Sequence, residues 1–148
     1  MAPRPIIIDC DPGQDDALML LLALASPTEL DILGISTVAG NVPLALTQRN
    51  ARLICEMAGK TETKVYAGCE RPMVRKLLTA EYVHGKSGID GVDIYEPKLP
   101  LQPQHAVDFI IDTLSTANDE SITLVPTGPL TNVATAFIKQ PAIIDKVD

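Results

Sequence analysis

A β-branched run that passes directly into an acidic turn, and from there into a second apolar run, constrains this chain more than any other feature. Pro5-Ile6-Ile7-Ile8 leads into Asp9-Cys10-Asp11-Pro12-Gly13-Gln14-Asp15-Asp16, and Ala17-Leu18-Met19-Leu20 follows. A short run of this kind, bounded by proline and a turn, reads as a strand covered on both faces, here Pro5 to Asp9. The stretch beyond reads as a helix to about Ala25, stopped by Ser26-Pro27-Thr28. Asp15 or Asp16 is expected as its N-cap, because a carboxylate there accepts from free N–H groups and meets the positive end of the helix dipole. Leu18, Leu21, Leu22 and Ala25 are expected to face the core.

The same alternation continues. Leu30 to Val38 reads as a second buried strand, turned by Ala39-Gly40-Asn41, and Pro43 opens a helix whose Leu44, Leu46, Ala51, Leu53, Ile54 and Met57 form a stripe ending at Gly59. A short strand at Lys64 to Ala67 comes next. From Gly68 to Pro103 the pattern dissolves into proline, glycine and charge, with Gly85, Gly88 and Gly91 around His84 and Asp90. A connection this long in a compact domain is usually functional. A helix from about His105 to Ser115, a strand at Ile122 to Val125, a turn at Pro126-Thr127-Gly128-Pro129 and a helix from Leu130 to Ile138, broken by Pro141, complete the pattern. Strands alternating with helices imply a Rossmann-like α/β fold, a mostly parallel sheet with helices on both faces. Ligands bind such sheets beyond the carboxyl ends of the strands. Asp11, Asp15, Asp16, Asn41 and Thr127 are therefore expected around one crevice.

Composition excludes several classes of function. The chain has 148 residues, 46% of them hydrophobic, enough for a core. Aromatics make up 3% and the net charge is −7, which leaves no stacking platform for single strands and opposes polyanions. Nucleic acid and membrane surfaces are not expected partners; a small, cation-bridged substrate is. Three cysteines, Cys10, Cys55 and Cys69, with no C-x-x-C spacing, point away from a disulfide framework or zinc site and toward a reducing cytoplasm. The longest apolar run, Ala17 to Ala25, is too short to cross a bilayer.

Four aspartates within eight residues need a positive partner. Two carboxylates about 4 Å apart repel by roughly 4 kcal/mol at an effective dielectric near 20, and a hard divalent cation relieves that. The turn is not an EF-hand, since Leu20 stands where the twelfth-position glutamate would be counting from Asp9. A haloacid-dehalogenase-like phosphatase also places Asp-x-Asp after its first strand and stays open as an alternative, although the extra pair Asp15-Asp16 would repel a phosphate. A non-catalytic calcium- or ribose-binding fragment is the third reading.

The string Asp9-Cys10-Asp11-Pro12-Gly13-x-Asp15-Asp16 resembles the N-terminal signature of the nucleoside hydrolases, the calcium-dependent N-ribohydrolases of the inosine-uridine preferring family. Thr37-Val38-Ala39-Gly40-Asn41, Arg49-Asn50-Ala51, His84-Gly85-x-Ser87-Gly88 and the stretch from Ile122 to Asn132 match in the same order. The resemblance implies Ca2+ held by the carboxylates of Asp11 and Asp16 and the backbone carbonyl of Thr127. It makes Asp11 the catalytic general base toward a water attacking C1′, with Asp15, Asn41 and His84 binding the sugar of a ribonucleoside. Flanking carboxylates suit an oxocarbenium-like ribosyl. Wording such as Pro126-Thr127-Gly128-Pro129 looks most like bacterial pyrimidine-preferring members.

Blander readings stand beside these. Asp16 alone could be a helix cap and Asn41 a turn residue, Thr127 is ordinary turn chemistry, and His105 does no more than begin a helix. Cys10 reads as a small buried packer. The family's chains are roughly twice as long, so residues 1–148 are expected to be the N-terminal part of a single domain. Such a part is expected to be inactive or weak alone, and to associate with another copy or a complementary C-terminal fragment through an open sheet edge.

Overall fold

The structure is a computed structural model and describes residues 2–148. Five strands, β1 (Arg4–Cys10), β2 (Leu30–Thr37), β3 (Val65–Ala67), β4 (Leu101–Gln102) and β5 (Thr123–Pro126), form one sheet in the order β4-β3-β2-β1-β5, with every pairing parallel. The helices are α1 (Gln14–Leu24), α2 (Leu44–Met57), the short α3 (Glu81–His84), α4 (Ala106–Ser115) and α5 (Thr131–Lys139). A 3-10 helix at Pro141–Lys146 follows α5, so Pro141 opens a new turn after the break it was expected to make. Val147 then bridges Ile122 in parallel, on the line of β5.

Side-chain alternation along β1 divides the core. Ile6, Ile8 and Cys10 pack with α1 and α2, whereas Ile7 packs with Tyr66, Phe109, Ile110, Leu114 and Ala136 on the α4/α5 side. Asp9 shares the side of Ile7, which sets its role below. One irregularity sits between Ile6 and Ile7, where the register passes from Ile32 to Gly34 and leaves Leu33 as an extra residue. A Cβ at Gly34 would press on Phe109 Cζ at 2.6 Å and Tyr66 Cε2 at 2.9 Å, so the missing side chain makes room for the stacked Tyr66 and Phe109 rings.

Two expectations about α1 are corrected. Its N-cap is Gly13 with no side-chain cap, and Asp15 and Asp16 lie in the first turn instead. Its inner face is Asp16, Leu20, Ala23 and Leu24, while Leu18 and Leu22 stand 71% and 70% exposed and Leu21 and Ala25 also face outward. The helix is apolar nearly all round, so composition gave no stripe with which to orient it. Beside it, Ile6, Ile8, Met19, Leu22 and Val125 line an open apolar groove. Within residues 68–103 the sequence pattern missed α3 and the two-residue β4, both too short to show a period. His105, as expected, opens α4, and its Nδ1 accepts from Val107 N–H at 3.2 Å.

Candidate functional site

Asp11 is the first residue beyond β1, at the carboxyl edge of the sheet, where the turns after β2 and β5 close on it. A Cβ at Gly40 would overlap its Oδ2 and one at Gly128 would stand 2.7 Å from its Oδ1, so only glycines let both turns approach the carboxylate. Asn41 donates its backbone N–H to Asp11 Oδ2 at 2.7 Å and its side-chain amide to the Asp11 carbonyl at 3.0 Å. Asp16, one turn into α1, accepts the Asp11 N–H through Oδ2 at 3.1 Å. The Thr127 side chain lies close enough to Asp16 to favour its ionised form, and the Thr127 N–H reaches the Asp9 carbonyl at 2.9 Å. The three turns do converge.

Asp15 and His84 stand at the rim. Asp15 is exposed, and a Cβ on Gly13 would meet both His84 Nδ1 at 2.6 Å and Asp15 Oδ1 at 3.0 Å. His84 is carried there by the segment after β3, whose Ala80 N–H is bonded to the Asn41 carbonyl at 2.8 Å. Gln14 holds it through Oε1 to Nδ1 at 2.6 Å and through Nε2 to the His84 carbonyl at 3.4 Å.

The electrostatics mark the cluster as short of positive charge. Burial pushes Asp11 up to about 7, the charges of Asp16 and Asp15 push the same way, and the Asn41 N–H opposes them. Asp16 is raised too, by burial first and by Asp15, against the Thr127 side chain and the Asp11 N–H. Among the described residues neither carboxylate has a salt bridge, and no group of three or more His, Cys, Asp or Glu side chains gathers as a metal centre. Two buried carboxylates without a cationic partner, beside further oxygen atoms, make a donor set suited to a hard cation.

Sequence reasoning missed the support behind the site. Asp9 is fully buried; its Oδ1 accepts from Ser36 Oγ at 2.6 Å and Asn132 Nδ2 at 2.8 Å, its Oδ2 has no partner, and burial pushes it up to about 6. Asn132 also donates to the Thr37 carbonyl at 3.0 Å and accepts the Cys69 N–H at 2.8 Å, tying β1, β2, the end of β3 and α5 into one knot. Asn50, buried on α2, donates to the carbonyls of Pro12 at 3.2 Å and Ser87 at 2.8 Å and so fixes the glycine segment against the acidic turn. Gly88, at φ +87°, sits over Asn50 and Pro12 where a side chain would not fit. The signal available in the sequence was a polar residue inside an apolar pattern: Ser36 in a strand, and Asn50 among Ala51, Leu53 and Ile54.

The geometry is that of an α/β sheet with an oxygen-rich acidic crevice at its carboxyl edge, where such sheets bind small ligands, and sequence comparison places it in a family. The family model described as inosine-uridine preferring nucleoside hydrolase matches residues 6–148, and the chain belongs to that family. It is 48% identical to an inosine-uridine preferring nucleoside hydrolase of Crithidia fasciculata over 98% of this chain and 46% of that protein. It is 46% identical to a pyrimidine-specific ribonucleoside hydrolase of Photobacterium profundum, covering 98% of this chain and 46% of the relative. Among solved structures, a purine-preferring ribonucleoside hydrolase from Gardnerella vaginalis superposes with a TM-score of 0.89 at 36% identity, over 97% of this chain and 46% of that one. The chain thus spans about half the length of the relatives it matches.

Proposed function

We propose that this chain is the N-terminal part of a single nucleoside hydrolase domain and carries part of a site that hydrolyses the N-glycosidic bond of ribonucleosides to free base and ribose. The observation that carries this reading is the pairing of buried Asp11 and Asp16, held by the Asn41 and Asp11 N–H groups with no basic side chain bridging them among the described residues, in a member of this family. Asp11, Asp16 and the Thr127 carbonyl would hold Ca2+, all of them oxygen donors. Bound there, the ion supplies Lewis acidity toward a water and a grip on vicinal hydroxyls. Asp11, beside that water, would accept its proton as general base. Asn41 and Asp15 hydrogen-bond the sugar, His84 lines its rim, and the Asp9–Asn132 knot holds Asp11 in place.

Pyrimidine nucleosides are the proposed substrates, with inosine second; the relatives' names support both. Three free cysteines support a reducing compartment such as the cytoplasm, and among the described residues no helix is long and apolar enough to cross a membrane. The exposed flank of α1 and the adjoining apolar groove support burial against further polypeptide, either a C-terminal fragment or a second copy.

The test assays the 148-residue chain and the product of its complete reading frame with uridine, inosine and a nucleotide, following ribose and phosphate release in parallel. Chelator-sensitive ribose release by the complete product, lost in Asp11→Asn, is expected. Phosphate release from the nucleotide alone would overturn the reading in favour of a phosphatase.

A further inference from the structure

Gln14 fills the one free position of the acidic signature, and its side chain fixes how His84 can bond. A carboxamide looks symmetric, but here its orientation is set. The His84 carbonyl can only accept, so the group 3.4 Å from it is the Gln14 NH2, and the oxygen is left facing His84 Nδ1 at 2.6 Å. An amide oxygen cannot donate, so Nδ1 carries the hydrogen. In the neutral ring the other nitrogen, Nε2, is then a bare acceptor, and among the described residues it has no protein partner.

We infer that Gln14 is a positioning residue that locks His84 in the Nδ1–H tautomer, so that the rim offers Nε2 as an acceptor for a hydroxyl donor on the ligand. The lock also orients the ring, because the amide grips the same residue at two points. Gly13 leaves the space: any side chain there would collide with His84 Nδ1 and Cε1. An acceptor nitrogen beside the acidic turn welcomes an unphosphorylated sugar hydroxyl and disfavours phosphate oxygens. This last consequence rests on the nucleoside reading above; the tautomer does not.

The chain contains only two histidines, which makes the test direct. His105 Nδ1 accepts from Val107 N–H, so its hydrogen belongs on Nε2, the opposite tautomer to His84. Long-range 1H–15N correlation spectra of the neutral rings are expected to show one histidine of each kind. Gln14→Leu is expected to release His84 into a tautomer mixture and leave His105 untouched, whereas Gln14→Glu, which keeps an acceptor opposite Nδ1, restores the Nδ1–H form. An Nε2–H His84 in the unaltered protein, or an unchanged His84 pattern in Gln14→Leu, overturns the inference. In the complete reading-frame product, Gln14→Leu is expected to raise KM for uridine about fivefold, the loss of roughly one hydrogen bond, with kcat little changed. If that product takes no nucleoside while the two tautomers are as described, the proposed reaction fails and the lock stands.

Discussion

Asp9 and Asp11 are two residues apart, both buried, and built into opposite kinds of surroundings. Asp9 faces the α4/α5 layer, where Ser36 and Asn132 bring side-chain donors to it and seal it from the crevice. Asp11 faces the crevice, squeezed between Gly40 and Gly128, with a backbone N–H for its Oδ2 and the charges of Asp16 and Asp15 against it. Burial raises both, to about 6 and about 7. The difference lies in what each still needs: the inner carboxylate is a structural tie, while the outer pair remains short of positive charge. Removing the first should cost fold, and removing the second should cost ligand.

The largest effect is expected at Asn132. Replacing it with leucine strips partners from Asp9, the Thr37 carbonyl and the Cys69 N–H at once, and urea unfolding should show a loss of about 3 kcal/mol or more. Asp11→Asn should behave in the opposite way, with the calcium-free melting temperature unchanged or higher, and calcium affinity by titration calorimetry down at least tenfold. A large loss of stability in Asp11→Asn would break the contrast. Gly40→Ala should fall between them, since its methyl group displaces Asp11 Oδ2, weakening calcium more than folding.

The pH response sharpens the same contrast. Both carboxylates have folded pKa values above their ordinary 3.8, so the folded state holds protons that the unfolded state has released. Their contribution to the stability of the calcium-free chain is therefore full below about pH 4 and lost as pH rises through about 6 for Asp9 and 7 for Asp11. Calcium competes with the Asp11 proton, so the thermal shift it causes should grow from pH 5.5 to 8 on the order of tenfold in affinity. Asp11→Asn should flatten that growth. The smallest effect belongs to exposed Asp15, where Asp15→Asn should change stability by no more than about 0.5 kcal/mol.

Much of this architecture was legible because its signals are local. The stripe of α2, apart from Met57, which stands 53% exposed at its end, the β-branched runs of β1 and β2 and the turns at Asn41 and Thr127 each announced themselves, and parallel topology then placed the turns at one edge. The acids of the turn were visible as a cluster, and the structure separates them into roles by side-chain direction. Asp9 points inward with Ile7, a distinction that follows from strand alternation once β1 is known to extend to Cys10. Other features depend on distant partners. Asn132 bonding Asp9 spans 123 positions, and Gln14 meeting His84 spans 70, distances over which no periodicity speaks. Outward Leu18 and Leu22 escaped for another reason: a helix coated with leucine on every side presents no polar face by which to orient it.

The extra residue Leu33 is absorbed near the start of β2, before the strand reaches the crevice. Leu33 and Gly34 both turn toward Phe109 and its layer, and past that doubled step Ser36 falls opposite Asp9 and Thr37 opposite Cys10. Deleting Leu33 would join Ile32 directly to Gly34, the one-to-one step the ladder keeps on either side, so Ser36 would still face Asp9 and Thr37 would still face Cys10. Removing a residue beyond the bulge, such as Ile35, would instead pair Ser36 with Ile8 and turn its hydroxyl to the far layer, away from the acid. The bulge therefore takes up a change of length before β2 reaches the crevice, and the far end of the strand tolerates a deletion that its carboxyl end would not.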